Sequence, residues 1–126
     1  MKKTFLSEQA KEFRSRYNIS NKISRESRSY QKNLIVEEFK EFIEADGMMF
    51  RAGSPPKEAT LKELADLVYV CYQYAESMGW FLDEALDRVH KSNMSKLDKD
   101  GKPIYREDGK VLKGPDYKPP DLSDLF

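Results

Sequence analysis

Apolar side chains return at near-helical spacing in four stretches of this chain, separated by turn-like breaks. The first stretch runs from about Thr4 to Tyr17, with Phe5, Leu6, Gln9, Phe13 and Tyr17 in register. Asn18 to Ser29 is rich in Ser, Asn and Arg and predicts a connection with room for a helical turn of its own. The second helix is expected from about Ser29 to Met48, where Leu34, Ile35, Phe39, Phe42 and Ile43 give the clearest period. Arg51-Ala-Gly-Ser-Pro-Pro56 then predicts a loop. A third helix follows, capped by Thr60 with Glu63 three residues on, or beginning already at Pro56, and running to Met78 before Gly79 ends it. The fourth spans roughly Leu82 to Leu97, with Leu82, Leu86, Val89, Asn93 and Leu97 on one stripe.

Beyond Asp98 the texture changes. The segment KDGKPIYREDGKVLKGPDYKPPDL carries two Asp-Gly pairs and several prolines, and Asp108-Gly109 predicts a two-residue hairpin turn between short extended runs. Ile104, Tyr105, Val111, Leu112 and Tyr117 give this extension something to pack, so an ordered tail is expected. All 126 residues are assigned to one all-α domain, with an N-terminal helix and connection over 1–29 and the extension over 98–126.

Composition narrows the class. The chain is 39% hydrophobic and 35% charged with zero formal net charge, and its mean hydropathy is −0.77. That profile fits a highly charged helical protein and argues against a global basic field for nucleic acid. Cys71 is the single cysteine, so no intramolecular disulfide can form, which suits a reducing compartment. No apolar run is long enough to span a bilayer, and the N-terminus lacks the apolar core of a signal peptide, so the cytosol is the expected location.

The chemistry appears when the central helices are turned by about 100° per residue. With Glu38 at zero, Leu34 and Ala45 fall at roughly 320° and 340°, and Phe42, Ile35 and Phe39 at roughly 40°, 60° and 100°. Glu38 therefore lies inside the apolar arc, and Glu41 lies on its edge. The third helix repeats the device. With Glu63 at zero, Val70, Tyr74, Leu67 and Cys71 surround it, and Asp66 stands at the rim. A lone buried carboxylate is costly, and four converging ones repel unless a cation holds them. A hard divalent ion with oxygen ligands is the natural solution, and Mg²⁺ also engages phosphates.

On the fourth helix Asn93 interrupts the apolar stripe and Lys96 flanks it, an amide and an ammonium suited to phosphate oxygens. The bland alternatives stay open: salt-bridged structural acids for Glu38 and Glu63, solvated faces for Glu37, Glu41 and Glu44, and helix-end polarity for Asn93. A di-iron bundle needs two Glu-x-x-His motifs, and His90 is the only histidine. The absence of a Gly-rich phosphate loop excludes a P-loop ATPase. The non-enzymatic alternative is a helical interaction module whose acids form salt bridges across an oligomer.

The pair Glu37-Glu38-x-x-Glu41 followed by Glu63-x-x-Asp66 resembles the EExxE…ExxD signature of the all-α NTP pyrophosphohydrolases, a superfamily that includes MazG-like enzymes, dimeric dUTPases and phosphoribosyl-ATP pyrophosphohydrolases. The stretch from Val89 to Lys96 is similar to the segment after the metal helices in MazG-like members, and the tail is similar to those of short, often phage-encoded members. The resemblance covers roughly residues 30 to 120. It implies a four-helix bundle of that type that forms a homodimer or homotetramer. It implies Mg²⁺ or Mn²⁺ bound through Glu38, Glu41, Glu63 and Asp66, with Glu37 as a further ligand or as the group that positions the attacking water. It further implies that Lys91, Asn93 and Lys96 face the triphosphate of an NTP or dNTP, and that Lys113 and Tyr117 close over it. Base and sugar are left open: Phe39, Phe42, Tyr69, Tyr72, Tyr74 and Trp80 all offer aromatic faces.

Overall fold

The computed structural model describes residues 5–51, 53 and 57–126. Four helices follow one another: α1 (Leu6–Arg16), α2 (Arg25–Met48), α3 (Lys57–Ser77) and α4 (Leu82–Met94). Among the described residues no strand forms beyond an isolated antiparallel bridge, Tyr105 to Val111. The expected all-α class is therefore what the chain adopts. No described helix is long and apolar enough to cross a membrane. The Thr4 start foreseen for the first helix, and Pro56 as a start for the third, lie outside the described residues.

Helix α2 begins four residues earlier than its apolar period suggests, and the reason is local. Ser24 is extended at φ −148°, and its hydroxyl accepts the Ser27 N–H while the Ser27 hydroxyl accepts the Ser24 N–H. This reciprocal cap satisfies orphan donors and recruits Arg25 to Arg28 into the helix. Of the two starts open to α3, the cap at Thr60 does not form, since the helix is already under way at Lys57. Thr60 lies inside α3, where its hydroxyl donates to the Ala45 carbonyl across the helix pair at 3.4 Å. Glu63 is thereby released from a capping role. At the far end Gly79, at φ +72°, turns the chain so that the Trp80 N–H returns to the Ala75 carbonyl.

The chain divides into two compact units, Met1–Trp80 and Phe81–Phe126. In the first, α3 packs along α2 and, through another face, against α1. Arg14, only 2% exposed, fastens α1 in place. Its guanidinium donates to the Asn21 side chain, the Ser20 carbonyl and Gln73 Oε1, and Gln73 in turn donates to the Ala10 carbonyl. Burial pulls this guanidinium below its ordinary pKa, and the charge of Glu76 opposes that. The interior holds few large apolar side chains. Val36, Phe39 and Ile43 on α2, and Leu61, Leu64 and Val68 on α3, form two apolar stripes that are exposed.

The second unit holds α4 and the extension. Helix α4 stops at Met94, three residues short of the expected end, because Ser95 caps it and the tail takes over: the Ser92 hydroxyl donates to the Lys118 carbonyl, and the Lys118 N–H donates to the Ser95 hydroxyl. Gly114 lies so close to the chain that a Cβ there would meet the Leu97 carbonyl oxygen at 2.2 Å. The hairpin forms with a three-residue loop, not two. Arg106 pairs with Lys110, leaving Glu107, Asp108 and Gly109 between them, with Gly109 at φ +91°. Asp108 lacks the positive φ that a two-residue type I′ turn needs at both positions, and Gly109 alone is left-handed, which suits a three-residue loop; the Asp108 carboxylate accepts the Lys110 N–H and the Arg106 guanidinium.

Candidate functional site

Helices α2 and α3 run antiparallel, since Thr60 meets Ala45 while Glu63 reaches Glu38 and Glu41. That pairing brings one acid of each buried stripe to the same level. One carboxylate oxygen each from Glu38, Glu41 and Glu63 lies within 4.8 Å of the others. All three residues are half-buried. Glu38 Oε2 and Glu63 Oε2 are buried and have no hydrogen-bond partner. Such acceptors cost about 1–3 kcal/mol each when left unsatisfied. The Glu41 carboxyl is pushed up to about 7, first by its hydrogen bond with Glu38 and by that carboxylate's charge, then by burial and by Glu63.

Asp66 stands apart from this group. It pairs with Lys62 at 2.7 Å, and the same ammonium lies 3.6 Å from Glu63. Asp66 and, more weakly, Glu63 hold the Lys62 ammonium above its usual pKa. Lys62 was missed in the sequence, although its spacing four residues before Asp66 is the ordinary signal for an ion pair on one helix face. Glu37 is exposed and lies outside the group. The donor set is all oxygen, partly buried and short of hydrogen-bond donors. A hard divalent cation fits it.

The other expected substrate contacts belong to the second unit. Lys91 is exposed and pairs with Asp87 at 2.9 Å, which raises its pKa. Asn93 does not occupy a buried stripe. It is exposed, and the buried side chain of that turn is Ser92, turned inward by its bond to the Lys118 carbonyl. Lys96 is half-buried at the end of α4. Lys113 lies over the Tyr117 ring, 4.8 Å from its centroid. Cys71 is a half-buried free thiol whose pKa burial raises.

A family model described as phosphoribosyl-ATP pyrophosphohydrolase matches residues 3–93. The matched span contains α1, α2, α3, the three converging carboxylates and nearly all of α4. No curated protein matches the chain.

Proposed function

The chain belongs to the phosphoribosyl-ATP pyrophosphohydrolase family, and from that premise we propose that it hydrolyses an NTP or dNTP to the monophosphate and pyrophosphate in a metal-dependent reaction. The observation that carries this reading is the convergence of Glu38, Glu41 and Glu63 within 4.8 Å around two buried, unpartnered oxygens. In the proposal these three residues hold Mg²⁺ or Mn²⁺, and Asp66 joins them by exchanging Lys62 for the ion. Bound there, the cation would neutralise phosphate charge and make a water more nucleophilic. The protein's own work is positioning. Glu38 and Glu63 fix the charge centre, Glu41 accepts the proton of the attacking water, and Glu37 helps to position that water. Lys91, Asn93 and Lys96 supply donors for the triphosphate, and Lys113 and Tyr117 close over the substrate.

The exposed stripes Val36/Phe39/Ile43 and Leu61/Leu64/Val68 favour a homodimer or homotetramer as the working form, since monomers rarely leave such patches uncovered.

The test is a panel of NTPs, dNTPs and phosphoribosyl-ATP, with Mg²⁺ and with Mn²⁺, scored for pyrophosphate release by wild type, Glu38→Gln and Glu63→Gln. Release by wild type and silence from both folded variants is the expected result. If no substrate is cleaved, and neither substitution alters metal-dependent stability, the acids are structural and the chain is an interaction module.

A further inference from the structure

Among the described residues, three buried side-chain atoms lack a hydrogen-bond partner: Glu38 Oε2, Glu63 Oε2 and Gln31 Oε1. Two belong to the carboxylate group. The third has no part in it. Gln31 is 4% exposed and precedes Glu38 by seven residues, which places it about 20° away around α2 and roughly 10 Å along it. It therefore shares the face that Glu38 presents to α3.

The antiparallel register set by Thr60 and Ala45 carries Gln31 to the level of Tyr74. The Tyr74 ring lies 5.9 Å from that of Trp80. One seam between α2 and α3 thus offers carboxylates at one level and, two helical turns away, an amide near a pair of aromatic rings. That separation is comparable to the span of a nucleoside monophosphate from its phosphorus to the far edge of the base. Trp80 follows Gly79 beyond the end of α3, so its indole is carried by the turn that closes the helix and not by the helix itself.

Buried side-chain acceptors in folded proteins are almost always paired, so an orphan acceptor points to a donor that the chain does not supply. A carboxamide sets a donor beside an acceptor, which complements the hydrogen-bonding edge of a base, and pockets that read a lone base combine such bonds with aromatic faces. We propose that Gln31 is the residue that reads the nucleobase, its amide bonded to the base edge while Tyr74 and Trp80 lie against the ring. This rests on the nucleotide-pyrophosphohydrolase reading, with the phosphates at Glu38, Glu41 and Glu63.

Trp80 is the only tryptophan, so its emission reports on the seam without any turnover. Nucleoside monophosphates of each common base are titrated in Mg²⁺ into wild type and Gln31→Met, by fluorescence and calorimetry, with kcat/KM measured across the matching triphosphates. Wild type is expected to favour one or two bases. Gln31→Met is expected to weaken the favoured base about ten-fold or more, the loss of one buried hydrogen bond, and to compress the ranking. Its thermal midpoint should stay level or rise. If Gln31→Met does not fold, Gln31→Asn must compress the ranking in the same way. A ranking that survives the substitution overturns the proposal, including the case where only stability changes because Gln31 merely holds a water. Pyrophosphate release with an unchanged ranking refutes Gln31 alone. Base-selective binding that depends on Gln31, without release of pyrophosphate from any substrate, refutes the activity and leaves the subsite standing. No binding by any nucleotide refutes both.

Discussion

In the C-terminal unit the Arg88 guanidinium donates to Glu84, to the Asp121 carbonyl and to both oxygens of Asp124, and the hydroxyls of Ser92 and Ser95 close on the backbone of Lys118. Between α2 and α3, by contrast, Glu38, Glu63 and Gln31 each bury an oxygen with no donor. Both regions are rich in charge. They differ in where the partners come from. The tail finds its partners within its own chain, so it needs nothing further to be ordered. The seam keeps unsatisfied acceptors, at about 1–3 kcal/mol each, and such a site makes sense when a ligand completes it.

The sharpest way to break this contrast is to remove the seam's charge. Glu38→Gln and Glu63→Gln should each lower kcat by about 10²–10³-fold, the scale for losing one preorganised electrostatic contact, as read from pyrophosphate release. In metal-free buffer the same variants should melt no lower than wild type, because an amide relieves the repulsion within the group. A loss of stability with unchanged turnover would make these acids structural. Next in size is the response to Mg²⁺. At a hundred-fold excess over Kd it should stabilise wild type by about 2.7 kcal/mol, and Glu63→Gln should lose most of that shift in a thermal titration.

How much of this was legible beforehand differs between the same two regions. The helical stripes put Glu38 and Glu63 among the apolar residues of their helices, where both are half-buried, and they stand out because a carboxylate at such a position violates the apolar period. Asp66 stands at the rim of the same stripe as Glu63, and its pairing with Lys62 shows that an acid there has a competing partner on its own helix. Gln31 sits on the same apolar face as Glu38 and passed unnoticed, because a neutral amide disturbs the period less than a charge does. The start of α2 was missed because serines suit both loops and caps, and only the geometry of Ser24 and Ser27 decides between them. In the tail the Asp-Gly turn was visible, whereas the bonds of Arg88 to Asp121 and Asp124 join positions more than thirty residues apart, beyond the reach of any local pattern.

Acid titration sharpens the comparison further, because the two regions respond with opposite sign. Glu41 is raised from an ordinary 4.5 to about 7, so its folded form binds the proton more tightly than the unfolded chain does. The stabilisation it gives is complete below about 4.5 and is lost as pH rises through about 7. Asp124 is lowered from 3.8 by Arg88. Its contribution is present above that value and fades as pH falls below it. Melting in metal-free buffer from pH 4.5 to 8 should show a decline that Glu41→Gln abolishes. Amide exchange over residues 118–126 should instead speed up below pH 4. A common response of both regions would mean that one global transition governs them.

The smallest effect is expected from Asp124→Asn. The pair with Arg88 is partly exposed, and exposed ion pairs contribute little to global stability, so the melting midpoint should barely move. Arg88 retains Glu84 and the Asp121 carbonyl, which keeps α4 tied to the tail as far as Asp121. What should change is confined to the last residues, where Asp124 is the side chain that Arg88 holds. Hydrogen exchange at Leu122 to Phe126 should quicken while exchange in α2 and α3 stays as it was. That outcome would show that the tail owes its order to contacts within its own chain. An unchanged rate at these residues would mean that the Asp121 carbonyl bonded by Arg88 and the turn bonds of Ser123 and Leu125 hold the tail without the ion pair.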